Sequence, residues 1–107
     1  MIRELSVQEL KRRREQADGT LVVLDVREPW EVRICAISGA KHIPMAQVAL
    51  RLGELDPARE IVVVCHHGHR SQRVALFLAT RNYENVYNLV GGIDAWAREV
   101  DPEVPTY

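Results

Sequence analysis

The residues in this chain most able to do chemistry crowd into one segment, Cys65-His66-His67-Gly68-His69-Arg70-Ser71. Within it stand a thiol, three imidazoles, a guanidinium and a hydroxyl. Ahead of Cys65 runs Ile61 to Val64, all β-branched. An apolar run without polar alternation reads as a strand buried on both faces, as in a parallel sheet. Beyond Ser71, the apolar residues Val74, Ala75, Leu78 and Ala79 recur at helical spacing. The thiol therefore stands where a buried strand stops and a helix is about to start. In an open α/β sheet that is the edge where ligands bind.

A loop that turns tightly around Cys65 aims backbone N–H groups inward. The following helix adds its unpaired first-turn N–H groups and the positive end of its dipole. Such a concavity suits an anion, a thiolate included. Gly68 admits backbone angles that a tight turn needs. Arg70 adds a permanent charge with several donors, and His66, His67 and His69 add charge when protonated. Cys65 is accordingly read as a nucleophile rather than as a small buried hydrophobe. Ser71, at the helix start, is read as an N-cap rather than as a second nucleophile. A metal site is not expected. Neighbouring loop residues converge poorly on one tetrahedral ion, and zinc ligands usually stand two or more residues apart.

The elements that must position this loop follow from the rest of the chain. Ile2 to Leu5 reads as a short first strand. Ser6 and Glu9 form a capping-box pattern for a helix running to Ala17, and Asp18-Gly19 ends it as a turn. The basic run Lys11 to Arg14 is read as a solvated helix face rather than a patch for an anionic partner. Leu21 to Val26 is a second buried strand, and Pro29 opens a short helix to about Ile34. Cys35 to Pro44 reads as loop, with a brief strand near His42 and Ile43. Met45 to Leu52 reads as a further short helix, and Asp56-Pro57 as a turn. Val86 to Leu89 is the last strand, Gly91-Gly92 a turn into a final helix, and Asp101 to Tyr107 an extended surface tail. Strands alternating with helices argue for a parallel-sheet α/β fold. In it, Asp25 and Arg27 share the sheet edge with Cys65, where an ion-pair network is the favoured role for them. Trp96 is read as core, His42 as a structural hydrogen-bonding residue, and Cys35 as a structural thiol, with a resolving role against Cys65 as its alternative.

Four segments carry a resemblance to a known family. CHHGHRS looks like the active-site loop of rhodanese-type sulfurtransferases. LDVREPWE (Leu24 to Glu31), SGAKHIP (Ser38 to Pro44) and NVYNLVGGIDAW (Asn85 to Trp96) match too, in family order and at family spacing. Many members carry Gly-His-Ile-Pro-Gly-Ala leading into the second of these, where this chain has Cys35-Ala36-Ile37-Ser38-Gly39-Ala40. The resemblance implies a small parallel β-sheet flanked by helices on both faces. It also implies that Cys65 carries sulfur as a persulfide, received from thiosulfate or a persulfide donor and passed to a thiol, cyanide or protein acceptor. His66, His67, Gly68, His69, Arg70 and Ser71 would then bind the donor. No cofactor or metal is implied. Two other classes compete. A Cys-dependent phosphatase of related fold carries one more residue between Cys and Arg than this loop does. A sulfur-carrier or partner-binding module would lack turnover with small donors.

Composition sets the outer bounds. The 107 residues suit one domain spanning 1–107. A hydrophobic content of 47% and a charged content of 27% are ordinary for a soluble globular protein. A formal net charge of −1 argues against non-specific nucleic-acid binding. Two cysteines make no disulfide framework. No apolar run approaches a membrane span, and the start has no signal-peptide pattern, so a reducing cytoplasmic setting is expected.

Overall fold

The computed structural model describes residues 2–16 and 21–107. The helix end expected at Ala17 and the turn expected at Asp18-Gly19 lie outside the described residues. In chain order the elements are β1 (Arg3–Leu5), α1 (Val7–Glu15), β2 (Leu21–Asp25), α2 (Pro29–Ile34), β3 (Lys41–His42), β4 (Glu60–Val64), α3 (His69–Ala79), β5 (Val86–Leu89) and α4 (Gly92–Glu99). The strands form one sheet in the order β1-β5-β4-β2-β3, and every neighbouring pair is parallel. The expected α/β architecture is what the chain adopts.

The central strand is β4. Its residues Ile61 to Val64 are all fully buried, because strands flank it on both sides and helices cover both faces. The pleat divides them. Ile61 and Val63 join Leu24, Val74, Ala75 and Leu78 in a core under α3, and Cys65 continues that row. Val62 and Val64 join Leu10, Tyr87, Ile93 and Trp96 in a second core under α1 and α4. Cys35 lies in this second core. Trp96 is core, as its helical spacing implied.

Local signals account for most boundaries. Ser6 caps α1, its Oγ accepting from the Glu9 N–H at 3.1 Å. The reciprocal half of the expected capping box is replaced, since the Glu9 carboxylate is taken by Arg12 and Arg13. The basic face of α1 is internally compensated. Lys11 pairs with Glu15, Arg13 also reaches Glu60, and Arg14 donates to the Ser38 carbonyl. α3 closes where Asn82 turns left-handed at φ +70°. The helix expected over Met45 to Leu52 is instead two 3-10 segments, Met45–Gln47 and Ala49–Glu54, with Arg51 off helical angles at φ −115° and ψ 22°. Val48 is buried there while Leu50 is 89% exposed. Val48 is the segment's one fully buried side chain, with Met45 and Leu52 packed against the core only in part.

Parallel pairing brings the C-terminal ends of β2, β4 and β5 to one edge, with Asp25 opposite Val64. Just beyond β2, Arg27 turns back into the protein and is fully buried. Its Nε and Nη2 donate to the Asp25 carboxylate at 2.9 and 2.7 Å, Nη2 also to the Cys35 carbonyl at 2.8 Å, and Nη1 to the Tyr107 hydroxyl at 3.0 Å. The His42 Nε2 lies 2.7 Å from the Arg27 carbonyl, which it meets as a donor. The Asp25 and Arg27 pairing is thus the loop-fixing ion pair expected at this edge.

Removing one partner of a buried pair leaves the other charge uncompensated. Arg27→Met is expected to lose about 3–5 kcal/mol of stability in urea unfolding. A loss under about 1 kcal/mol would mean that packing alone fixes this edge.

Candidate active site

Cys65 sits at the closed end of the loop and is 1% exposed. Its Sγ accepts from the Gly68 N–H at 3.0 Å and lies 3.3 Å from the Ser71 Oγ. Gly68 stands at φ +107°, a left-handed angle that folds its N–H back onto the sulfur and launches α3. Because the helix begins at His69, Ser71 lies inside its first turn and does not cap it. Its side chain turns inward instead, donating to the Asn88 Oδ1 at 2.5 Å. The N-cap reading of Ser71 is corrected on that ground: a left-handed glycine, not a hydroxyl, starts the helix.

The far wall is the turn after β5. Gly91 and Gly92 both take positive φ, and the N-terminus of α4 meets the backbone of the loop. The Ile93 N–H donates to the Cys65 carbonyl at 2.9 Å and the Asp94 N–H to the His66 carbonyl at 3.1 Å. A Cβ on Gly92 would lie 2.4 Å from both of those carbonyl oxygens. Only glycine permits this approach, so the first-turn N–H groups of α4 are spent on holding the loop.

The mouth is lined by stacked rings and paired charges. The His66 ring stacks on Tyr107 with centroids 3.9 Å apart and planes 5° from parallel, and lies 4.0 Å from the His67 ring. Burial, then the neighbouring His67, hold His66 below the ordinary imidazole range. Its buried Nε2 has no hydrogen-bond partner. His67 is exposed, 4.0 Å from the Asp94 carboxylate, and His69 is exposed at the start of α3. Arg70 forks onto Glu31, its two Nη atoms donating at 2.6 and 2.8 Å. Glu31 also accepts from the Glu28 N–H at 3.0 Å and the Tyr107 hydroxyl at 2.7 Å. The phenol of Tyr107 is pushed up to about 12, chiefly by its burial.

The structure thus brings the segment from Cys65 to Ser71 to one place, with Ser71 and Cys65 buried and His67 and His69 exposed. Three participants carry no role in the sequence reading. Asn88 interrupts an otherwise apolar strand on the same pleat face as Val86, which is a usable signal. Glu31 lies in the first turn of α2, where an acid reads as a cap. Tyr107 gives no local signal; the tail expected to lie extended on the surface folds back onto His66. Among the described residues no group of three or more potential ligands could hold a metal ion. A cleft of about 640 Å³ opens at the opposite end of β2, between Leu21, Lys41 and Arg59, away from the thiol.

A thiol at the C-terminal edge of a five-stranded parallel sheet, under a loop that a left-handed glycine folds onto its sulfur, defines a class of cysteine-loop α/β domain. The rhodanese-like domain family matches residues 6–99, and the chain belongs to that family. It is 35% identical to a sulfurtransferase of Allochromatium vinosum over 97% of this chain and 96% of that protein. It is 38% identical to a rhodanese-like/PpiC domain-containing chloroplastic protein of Arabidopsis thaliana, over 79% of this chain but only 30% of that protein. The crystal structure of a rhodanese-related protein from Thermoplasma volcanium superposes with a TM-score of 0.84 at 28% identity, covering 98% of this chain and 99% of that one. Similarity to sulfurtransferases of this family supports sulfur transfer as the general activity. No helix among the described residues is long and apolar enough to cross a membrane.

Glu31 links pH to stability. Hydrogen bonds from Arg70, working against burial, hold its carboxyl at about 2 instead of 4.5. A depressed carboxyl stabilises the fold above its unfolded value, and that contribution fades as pH falls through the folded value. Unfolding free energy is therefore expected to drop by on the order of 2–3 kcal/mol between pH 4.5 and 2 on account of this group. Urea titrations across that window should show a flatter slope for Glu31→Gln. An unchanged slope would remove Glu31 as the titrating group.

Proposed function

We propose that this protein moves sulfane sulfur from thiosulfate or a persulfide to a nucleophilic acceptor through a persulfide on Cys65. The observation that carries this reading is the seat of the sulfur. It lies at the closed end of a loop in which only four residues separate Cys65 from Arg70, with the Gly68 N–H aimed at it at 3.0 Å.

In the first step the Cys65 thiolate attacks the outer sulfur of the donor. The donor's S–S bond breaks, and sulfite or a thiolate leaves with the bonding pair. In the second step an acceptor thiol, cyanide or protein nucleophile attacks the terminal sulfur, and Cys65 departs as thiolate. This is covalent catalysis with ping-pong character. The Gly68 N–H stabilises negative charge on Sγ without rearrangement, and the carbonyl contacts from α4 keep the loop from relaxing away. His66, His67, Gly68, His69, Arg70 and Ser71 form the surround that receives the donor. Arg70 does so as half of an ion pair, which places it rigidly while compensating its charge. The reaction as written calls on no cofactor, and it suits a reducing compartment such as the cytoplasm, where a free thiol persists.

Intact-mass spectrometry after incubation with thiosulfate or glutathione persulfide tests this. A mass gain of one sulfur is expected, removable by a reducing thiol and absent from Cys65→Ser. Cys35→Ser should load sulfur normally. Turnover with small donors and thiols is expected; loading without turnover would assign the chain as a carrier for a protein acceptor. Hydrolysis of an aryl phosphate, lost in Cys65→Ser, would transfer the site to phosphatase chemistry.

A further inference from the structure

Four groups around the thiol close a hydrogen-bonded ring. Sγ of Cys65 accepts from the Gly68 N–H at 3.0 Å, and the Gly68 carbonyl accepts from the Asn88 Nδ2 at 3.1 Å. The Asn88 Oδ1 accepts from the Ser71 Oγ at 2.5 Å, and that Oγ returns to Sγ at 3.3 Å. Cys65, Ser71 and Asn88 are all buried, so water does not complete any of these contacts for them.

The direction of each bond follows by elimination. A carbonyl only accepts, so the Asn88 atom that faces Gly68 is the amide nitrogen. Its oxygen therefore faces Ser71, and since that oxygen only accepts, Ser71 must donate to it. A hydroxyl has one hydrogen. Ser71 consequently shows Sγ a lone pair, and the contact is satisfied when the Cys65 S–H donates across it. Ionising Cys65 reverses what the sulfur needs. Either two electron-rich atoms face each other, or Ser71 swings its proton to Sγ and leaves the buried Asn88 oxygen without a donor. An unsatisfied buried acceptor is costly.

We infer that Asn88 is a positioning residue that sets which way Ser71's single hydroxyl proton points and, through it, how readily Cys65 reacts as a thiolate. Asn88 holds the resting site toward the thiol, while the same side chain's nitrogen fixes the Gly68 carbonyl and hence the N–H on the sulfur. The inference deepens the sulfur-transfer reading, which supplies the reason for a nucleophilic Cys65.

The test is the pH profile of Cys65 alkylation by iodoacetamide, followed by intact mass in a Cys35→Ser background. Asn88→Ala releases the Ser71 proton to Sγ. Its profile should move to lower pH, with alkylation about tenfold faster on the acidic limb. Asn88→Asp keeps the shape and the oxygen facing Ser71, gives up the donor to the Gly68 carbonyl, and adds a charge that grips the Ser71 proton; its profile should move to higher pH. In a Ser71→Ala background Asn88→Ala should no longer move the profile to lower pH, as a double-mutant cycle requires of a residue acting through another. A purely structural Asn88 would move both substitutions the same way and keep its effect without Ser71; either result overturns the inference. Should Asn88→Ala not fold, Asn88→Asp decides alone: alkylation unchanged or faster on the acidic limb overturns it. Thiosulfate loading is scored separately. Profiles that shift as expected in a protein that never takes up sulfur would sink sulfur transfer and leave the Asn88 assignment standing.

Discussion

The carboxylate of Glu31 is the point on which the mouth of this site depends. Its two oxygens accept from two nitrogens of Arg70, from the Glu28 N–H and from the Tyr107 hydroxyl, and the side chain is 4% exposed. A buried charge is tolerable only when it is paired and hydrogen-bonded. Here saturation ties α2 to the first turn of α3 and to the tail. Tyr107 extends the chain of contacts to the Arg27 guanidinium, and Arg27 to Asp25 at the end of β2. The loop that holds Cys65 is thus braced from the β2 side by charge.

From the β5 side it is braced by close backbone approach. Gly92 leaves no room for a side chain against the carbonyls of Cys65 and His66, and two N–H groups of α4 occupy those carbonyls. The two braces differ in kind. The first is electrostatic and titrates; the second is steric and does not. Between them the loop keeps the curvature that points the Gly68 N–H at the sulfur.

Much of this was legible in the chain. The run from Ile61 to Val64 reads as a doubly covered strand because nothing polar interrupts it, and it is the centre of the sheet. Pro29 and the glycine pair announce α2 and α4 through rules that act over a few residues. What stayed hidden acts across long separations. Tyr107 meets Glu31 and His66 only after the whole domain has folded. Ser71 reads as a cap because hydroxyls favour helix starts, yet Gly68 begins the helix earlier and frees that hydroxyl to face Asn88. The 3-10 path from Met45 to Glu54, with its break at Arg51, is not revealed by spacing alone.

The division of the two cores has a chemical consequence. Cys65 belongs to the layer beneath α3 and Cys35 to the layer beneath α1 and α4, with the sheet between them. A bridge between sulfurs on opposite faces would require the central strands to part, since disulfide geometry tolerates only a few ångströms of separation. The fold therefore keeps Cys35 from pairing with Cys65 as a disulfide. On the proposed reading, sulfur taken up by Cys65 leaves by the mouth through which it came, to an outside acceptor and not to Cys35.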